Sequence, residues 1–285
     1  FVPAGNDRMF TRALTLPADG LILDLEDAVA PDRKAATRGV VREWLARHDF
    51  GGGERWVGMN PIATGLGEAD LEETIAGRPD GYVVPKPGRA ADIREIARIL
   101  DRLEQQHGIP NGATRLTVIA TETPEGLLNI REIATASPRT VAVSWGVEDL
   151  GAAMGLGRVR DEAGKYLDIP RYARVMCSVV ASAAGIEAID TVFTDIADLA
   201  GLRRECEEGV AMGFTGKISI HPSQIAVIND VFTPAKQAVD EARELVALFE
   251  VNARNGIFAF TFKGQMVDAP HLNRAKKLLA RAGVE

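Results

Sequence analysis

The sequence contains little cysteine and little histidine. Among its 285 residues there are two cysteines and four histidines. Both cysteines lie in helical patterns and form neither a disulfide framework nor a zinc knuckle, which favours a reducing, cytoplasmic setting. The histidines show no paired metal-ligand spacing. His221, between an apolar strand and Pro222, is interpreted as a hydrogen-bonded structural residue.

Long apolar runs and an excess of positive charge are also missing. No apolar run in the sequence reaches the roughly 18 residues that a membrane-spanning helix needs. The net charge is −7, which argues against nucleic acid as the main partner. We therefore expect neither a membrane nor a nucleic acid among the partners of this protein.

Three motifs that mark common enzyme classes do not occur. No G-x-G-x-x-G string follows the first predicted strand, which disfavours a dinucleotide-binding fold, and no Walker-type phosphate loop is present. There is no G-x-S-x-G string, and no cysteine follows a strand, so nucleophilic catalysis finds little support.

What the sequence does contain is a repeated unit, an apolar strand followed by an amphipathic helix. The eight predicted strands cover residues 1–3, 20–25, 55–60, 81–86, 116–120, 140–145, 186–192 and 217–221. Eight such units predict an α/β fold of the (β/α)8 TIM-barrel type, with an open doubly wound sheet as the alternative. We assign residues 1–230 to a catalytic barrel. Residues 231–285 are expected to form a helical, lid-like extension that packs on a neighbouring subunit.

Three local predictions belong to this interpretation. Residues 125–136 are predicted to form one helix, residues 151–166 a long loop that carries function, and residues 234–250 the helix after the last barrel strand. The segment 256–262 alternates and is aromatic, and a final helix follows it.

Acidic residues gather where the predicted strands end. They are Asp24, Glu26 and Asp27 after the second strand, Glu122 after the fifth, Glu148 and Asp149 after the sixth, and Asp190 and Asp195 after the seventh. The carboxyl ends of barrel strands share one mouth, so these carboxylates should repel each other unless a cation lies between them. Oxygen ligands suit a hard ion such as Mg²⁺. The alternative for each position is a loop charge or a salt bridge to an arginine of the barrel.

Several strings of the sequence together resemble one enzyme group. They are LDLEDAV at 23–29, VPK at 84–86, ETPEG at 122–126, WGVED at 145–149, GKISIHPSQI at 216–225 and GQMVDAP at 264–270. In this order they are similar to the citrate lyase β-subunit-like group. That group includes malyl-CoA and citramalyl-CoA lyases and lies in the HpcH/HpaI aldolase and malate synthase superfamily. The resemblance extends over essentially the whole chain.

The resemblance implies a Mg²⁺-dependent barrel enzyme that makes or breaks a carbon–carbon bond next to an acyl-CoA thioester. Glu122 and Asp149 match the two metal ligands of the group. Asp268 matches an acid/base that a C-terminal segment lends to an adjacent subunit, in trimers or in hexamers built from trimers. We predict that Glu26 and Asp27, in the acidic string after the second strand, are also catalytic.

The same resemblance suggests residues that bind the substrate, a CoA thioester or a small organic acid. Arg8 and Lys34 match the region that holds the CoA phosphates, and Asn60 and Lys86 lie in matching strings at the ends of the third and fourth strands. We predict a substrate-binding role for these four residues and for position 58.

Gly58 is the one clear departure from the group. The group carries an arginine here, in a V-R-[IV]-N string, whereas this chain reads V-G-M-N at 57–60. Arg55 lies on the opposite face of the strand and cannot substitute directly. Another arginine, such as Arg8, Arg158 or Arg160, could fill the role.

Three functions remain open at this point. The leading hypothesis is a carbon–carbon lyase that acts on a hydroxyacyl-CoA such as malyl-CoA or citramalyl-CoA. The second is an acyl-CoA thioester hydrolase on the same scaffold, and the third is a catalytically weak assembly subunit.

Overall fold

The computed structural model describes residues 1–284, so residue 285, the last of the predicted extension, lies outside the described residues. The strands are β1 Val2–Pro3, β2 Gly20–Asp24, β3 Glu54–Gly58, β4 Gly81–Pro85, β5 Arg115–Ile119, β6 Thr140–Ser144, β7 Glu187–Asp190, β8 Gly216–Lys217, β9 Phe260–Phe262 and β10 Gln265–Val267. The α-helices are α1 Asp7–Ala13, α2 Lys34–Arg47, α3 Leu66–Thr74, α4 Ala90–His107, α5 Pro124–Leu128, α6 Ile130–Ala134, α7 Val147–Met154, α8 Asp168–Ala184, α9 Leu199–Met212, α10 Pro222–Phe232, α11 Lys236–Arg254 and α12 Ala269–Arg281. Short 3₁₀ turns lie at Pro31–Arg33, Ile62–Thr64 and Ile75–Gly77.

Strands β1 to β8 form one parallel sheet in consecutive order. Beyond β8, the Ser219 carbonyl accepts a hydrogen bond of 2.7 Å from the Phe1 nitrogen, so the last strand of the sheet approaches the first. Helices follow most of the strands along the chain, as a parallel connection requires. The predicted (β/α)8 barrel is confirmed.

Helix α4 shows why these segments form helices. Its buried residues include Ile93, Ile96, Leu100 and Leu103, which recur with the helical period and form its buried face. The helix ends at Gly108, whose φ of +62° is a left-handed conformation that glycine adopts without steric cost.

Two local predictions are wrong. The predicted helix 125–136 is split into α5 and α6 at Asn129, whose side-chain amide donates to the Gly88 carbonyl at 2.9 Å. The predicted loop 151–166 is helical at its start, because α7 begins at Val147 and continues to Met154. The helix predicted at 234–250 is confirmed as α11, and α10, which begins at Pro222 and precedes it, is a further helix that the sequence analysis did not predict.

The described chain divides into two compact units, Phe1–Ile228 and a second that begins at Asn229. In the second unit, α11, α12 and the β9–β10 hairpin enclose a small core of Leu245, Val267 and Leu279 with their neighbours. The hairpin turns at Lys263 and Gly264, both with positive φ, as a two-residue turn of this kind requires. The predicted roles of the two parts stay predictions.

Among residues 1–284, none of the helices is at once long and apolar enough to cross a membrane.

The barrel unit contains a buried ionic network. Asp190, at the end of β7, is fully buried and accepts hydrogen bonds from Arg174 at 2.8 Å and from Trp145 at 2.7 Å. The Lys217 ammonium lies 3.6 Å from Asp190 and 2.8 Å from Glu205. Burial alone would raise the pKa of Asp190, but Lys217 and Arg174 lower it below its ordinary value. The prediction that Asp190 is an unpaired carboxylate of the mouth is therefore wrong.

Removing this carboxylate should destabilise the protein strongly. In Asp190→Ala, Arg174 and Lys217 stay buried without their shared partner, and we expect the free energy of unfolding to fall by about 3–5 kcal/mol. Glu208→Ala is the matched control, because it removes a 62% exposed partner of the same Arg174 and should cost about 0–1 kcal/mol. Urea unfolding followed by circular dichroism measures both losses. Equal losses would contradict the assignment.

Candidate active site

The carboxyl ends of β2 to β6 are brought side by side by the strand register. Asp24 pairs with Gly58, Pro85 pairs with Ile119, and Ile119 pairs with Ser144. The residues that follow these strands therefore meet at one edge of the barrel, where barrel enzymes carry their active sites.

Lys86, which follows β4, lies among the carboxylates of this edge. Its Nζ is 2.7 Å from Glu26 Oε1, 3.0 Å from Asp27 Oδ2 and 3.1 Å from Asp149 Oδ1. Burial alone would lower the pKa of Lys86, but the hydrogen bond and charge of Glu26, and then Asp27 and Asp149, raise it. Lys86 is therefore a cation held by three carboxylates.

The backbone at Lys86 is strained. Its φ is +51°, in the left-handed region that favours glycine, although it is followed by Pro87, before which extended backbone is the rule. Such strain costs on the order of 1–3 kcal/mol and persists where surrounding contacts impose it. Here those contacts are visible, because the Lys86 amide donates to Glu122 Oε2 at 2.7 Å while its side chain reaches Asp149.

Glu122 is a buried carboxylate between β5 and α5. Burial, and then the nearby charges of Asp149 and Glu26, raise the pKa of Glu122 well above its ordinary value. Gly146 lies against the Glu122 side chain so closely that a Cβ at this position would overlap Glu122 Cγ. The absence of a side chain at Gly146 therefore leaves the space that the Glu122 side chain occupies.

The loop after β2, which carries Glu26 and Asp27, is fixed by a chain of hydrogen bonds. Lys34 Nζ donates to the carbonyls of Leu25 at 2.8 Å and Glu26 at 2.6 Å, and to Asn60 Oδ1 at 2.7 Å. Asn60 is in turn held by the fully buried Asp70, which accepts from its backbone and side-chain nitrogens, both at 2.7 Å. All three ammonium donors of Lys34 are thus used within the protein, and its role with CoA stays a prediction, as does that of Asn60 with substrate.

Gly58 ends β3 beside Asp24. A Cβ at Gly58 would lie 3.1 Å from Asp24 Oδ1, so any side chain here must share space with that carboxylate. Burial raises the pKa of Asp24. Arg55 does not replace the missing arginine, because its guanidinium pairs with Asp80 at 3.2 Å. Arg160 is also engaged, with the side chains of Tyr166 and Glu205.

The remaining predicted residues lie elsewhere or in other settings. Arg8 is exposed on α1 and has no ion pair within the described part of the chain. Asp195 is exposed and caps its own turn by accepting from the Ala197 amide, and Glu148 is exposed in the first turn of α7, so neither joins the cluster around Lys86. Asp268 belongs to the second unit, where it caps α12 and lies 2.7 Å from His271 Nδ1.

The donor set at the mouth fits a hard cation. Glu122 and Asp149 offer carboxylate oxygens from adjacent strand ends, and burial, followed by the charges of Asp149 and Glu26, raises the pKa of Glu122. Within residues 1–284, no three acidic, histidine or cysteine side chains converge so as to enclose an ion by themselves. Mg²⁺ does not require this, since it commonly takes one or two carboxylates and completes its shell with water and substrate.

Comparison with known proteins identifies the family. The profile of the HpcH/HpaI aldolase/citrate lyase family matches residues 1–222. The chain belongs to this family. The predicted family, and with it the prediction of an enzyme of the lyase class, is confirmed.

Three curated relatives of the family resemble the chain to a similar degree. The (3S)-malyl-CoA thioesterase of Cereibacter sphaeroides is 34% identical, with 99% of this chain and 93% of the relative covered. Citrate lyase subunit beta of Escherichia coli is 35% identical, with 99% and 91% covered. Human mitochondrial citramalyl-CoA lyase is 34% identical, with 99% and 84% covered.

Solved structures of family members agree with the fold. The protein CitE of Mycobacterium tuberculosis, in complex with magnesium, acetoacetate and coenzyme A, is 36% identical with a TM-score of 0.78, and the match covers 99% of this chain and 96% of that chain. A citrate lyase of Burkholderia xenovorans, at 20% identity and a TM-score of 0.85, supports the fold alone.

Sequence reasoning missed two residues that shape the cluster at the barrel mouth. Gly146 lies in the WGVED string, but only the structure shows that Glu122 occupies the space a side chain would need. Asp70 is remote from every motif, and its buried carboxylate holds Asn60 in place. A single acid inside a helix gives no signal of such a role.

Glu26 should make stability depend on pH. Burial, with the nearby charges of Asp27 and Asp24, outweighs Lys86 and raises the pKa of Glu26 from 4.5 to about 7. A carboxyl with a raised folded-state pKa contributes stability that is complete below pH 4.5 and lost as the pH rises through 7. The quantity to follow is the free energy of unfolding of the wild type minus that of Glu26→Gln, in buffer with a chelator. This difference should fall by up to about 3 kcal/mol between pH 4.5 and 8.

The control for this measurement is Glu162→Gln, an exposed glutamate in the loop after α7. Its difference from the wild type should not change over the same pH range. Urea unfolding at several pH values provides the data, and a Glu26→Gln difference that is flat with pH would show that the pKa of Glu26 is not raised.

Proposed function

We propose that this protein is a cytoplasmic, Mg²⁺-dependent carbon–carbon lyase that cleaves a hydroxyacyl-CoA such as malyl-CoA or citramalyl-CoA. The observation that carries the proposal is the crowding of four carboxylates around Lys86 at the barrel mouth: Glu26, Asp27 and Asp149 contact its ammonium, and Glu122 accepts from its backbone amide. A site with surplus buried negative charge attracts a divalent cation. The magnesium and coenzyme A described for the Mycobacterium tuberculosis relative are consistent with this.

Glu122 and Asp149 would hold the ion. A bound Mg²⁺ would supply Lewis-acid stabilisation to oxygens of the hydroxyacyl group. The Lys86 amide fixes the Glu122 carboxylate by donating to Oε2, and Gly146 leaves that side chain its room. Glu122 is therefore oriented before a substrate arrives, which lowers the reorganisation needed during the reaction.

The proton transfers can be assigned to other carboxylates. In retro-aldol cleavage the substrate hydroxyl loses its proton, and the electrons of the breaking carbon–carbon bond move to the α-carbon of the thioester. Glu26 has a pKa of about 7 and is suited to accept the hydroxyl proton near neutral pH. Asp268, from an adjacent subunit of a trimer or hexamer, would protonate the α-carbon, which leaves a keto acid and a shorter acyl-CoA.

A thioester hydrolase is the second candidate. It is favoured by Gly58, which replaces the arginine that the group uses beside the metal and leaves space for water. It is also favoured by the (3S)-malyl-CoA thioesterase of Cereibacter sphaeroides, which is as similar to this chain as the lyases are. Both reactions would use the same metal site. A lyase breaks the carbon–carbon bond of the hydroxyacyl group, whereas a hydrolase uses water to break the thioester bond.

Product analysis separates the two candidates. With malyl-CoA or citramalyl-CoA and Mg²⁺, a lyase yields a keto acid and a new acyl-CoA, whereas a hydrolase yields the free hydroxy acid and CoA. We expect the lyase products, loss of turnover on chelation, and a loss of at least about 100-fold in kcat for Glu122→Gln and Asp149→Asn, since each removes a charged ligand.

The matched control is Glu132→Gln, which changes an exposed glutamate of α6 and should leave turnover unchanged. Liquid chromatography with mass spectrometry identifies the products, and calorimetry gives the Mg²⁺ affinity of each variant. Wild-type turnover or wild-type metal affinity in Glu122→Gln would show that the metal site is misassigned.

Gly58 should set substrate preference. Without an arginine, the site lacks a charge-assisted hydrogen bond worth roughly 1.5–3 kcal/mol, so cleavage of malyl-CoA should be slower by on the order of 10- to 100-fold than in Gly58→Arg. Larger or differently anchored acyl groups should be favoured by the wild type. Gly58→Ala is the control, because it adds the Cβ near Asp24 without the guanidinium. A wild type that cleaves malyl-CoA as fast as Gly58→Arg would contradict this.

A further inference from the structure

We propose that Lys86 is a built-in counter-ion that competes with the divalent cation for Asp149 and so weakens metal binding in the resting protein. The inference rests on the proposed function, in which Glu122 and Asp149 hold Mg²⁺. It assigns to Lys86 a positioning role toward the metal, since Lys86 acts on the ion through the two ligands.

The first argument is that one residue contacts both ligands. The Lys86 amide donates to Glu122 Oε2 at 2.7 Å, and its ammonium lies 3.1 Å from Asp149 Oδ1. These contacts have different consequences. The hydrogen bond from the amide orients Glu122 without adding a positive charge beside it. The ammonium instead neutralises Asp149 and occupies an oxygen that a metal would need.

The second argument is that the ammonium can leave Asp149 without becoming unpaired. Glu26 Oε1 at 2.7 Å and Asp27 Oδ2 at 3.0 Å lie closer to Nζ than Asp149 does. A cation that takes Asp149 therefore leaves Lys86 with two carboxylates on the neighbouring loop. Lys34 donates to the Leu25 and Glu26 carbonyls and to Asn60, so the backbone that carries these two carboxylates is held.

The third argument is the backbone strain at Lys86. The φ of +51° ahead of Pro87 has no local justification, and it lets the amide and the side chain face the same group of carboxylates. Strain of this kind persists where the surrounding contacts over-determine it. A lysine needed only for packing would not require this conformation.

The sign of the effect distinguishes this role from simple support of the fold. If Lys86 only stabilised the site, its removal would loosen the ligands and weaken Mg²⁺ binding. If it competes, its removal deletes a positive charge beside the ion and frees Asp149, and binding becomes tighter. From the Coulomb interaction at these distances in a partly screened site, we expect Lys86→Met to bind Mg²⁺ at least about tenfold more tightly.

The test is calorimetric titration of the full-length apo protein with MgCl₂ alone, with no substrate. Lys165→Met is the matched control, because it removes the same charge from an exposed loop lysine that has no side-chain partner in the described chain. Its affinity should equal that of the wild type. A dissociation constant for Lys86→Met that is unchanged or larger than that of the wild type overturns the inference. Absence of Mg²⁺ binding in the wild type would instead contradict the proposed function, so the two failures are distinguishable.

Discussion

Four carboxylates around one lysine are the constraint on which the rest of this structure depends. Glu26, Asp27 and Asp149 contact the side chain of Lys86, and Glu122 contacts its amide. Burial, with the charges of neighbouring acids, raises the pKa values of Glu26 and Glu122, and acids this close together would repel each other without a counter-charge. The parallel strands hold them together because their carboxyl ends are in register.

Much of the fold and part of the site could be predicted from the sequence. The alternation of apolar strands with amphipathic helices was sufficient to predict the barrel, because the spacing of apolar residues is a local property of the chain. The rule that strand ends share a mouth correctly placed Glu26, Glu122 and Asp149 near each other. It failed for Asp190, because the partners Arg174 and Lys217 come from other elements, and no local pattern shows that they converge on it.

The residues around the loop after β2 show that one sequence motif can contain both structural and ligand-binding positions. Lys34 and Asn60 were selected as substrate-binding residues, yet each uses its polar atoms on protein partners that fix the loop. Lys34 donates to Asn60, and Asn60 donates to Asp70, which lies in a helix outside every recognised string. A sequence pattern reports that such residues occur together and does not separate those that touch a ligand from those that hold the loop.

Charge balance separates the two ionic clusters of the barrel unit. Around Asp190, acids and bases are matched: Arg174 and Lys217 meet Asp190 and Glu205, and burial is offset by these pairs. At the mouth, a single lysine faces four acids, and the pKa values of Glu122 and Glu26 are raised. We assign the matched cluster to the stability of the fold, because changing the protonation of one member would leave its buried partner unpaired. The unmatched cluster can take up a cation or exchange protons, and this is why we assign the chemistry to the mouth although both clusters lie at strand ends.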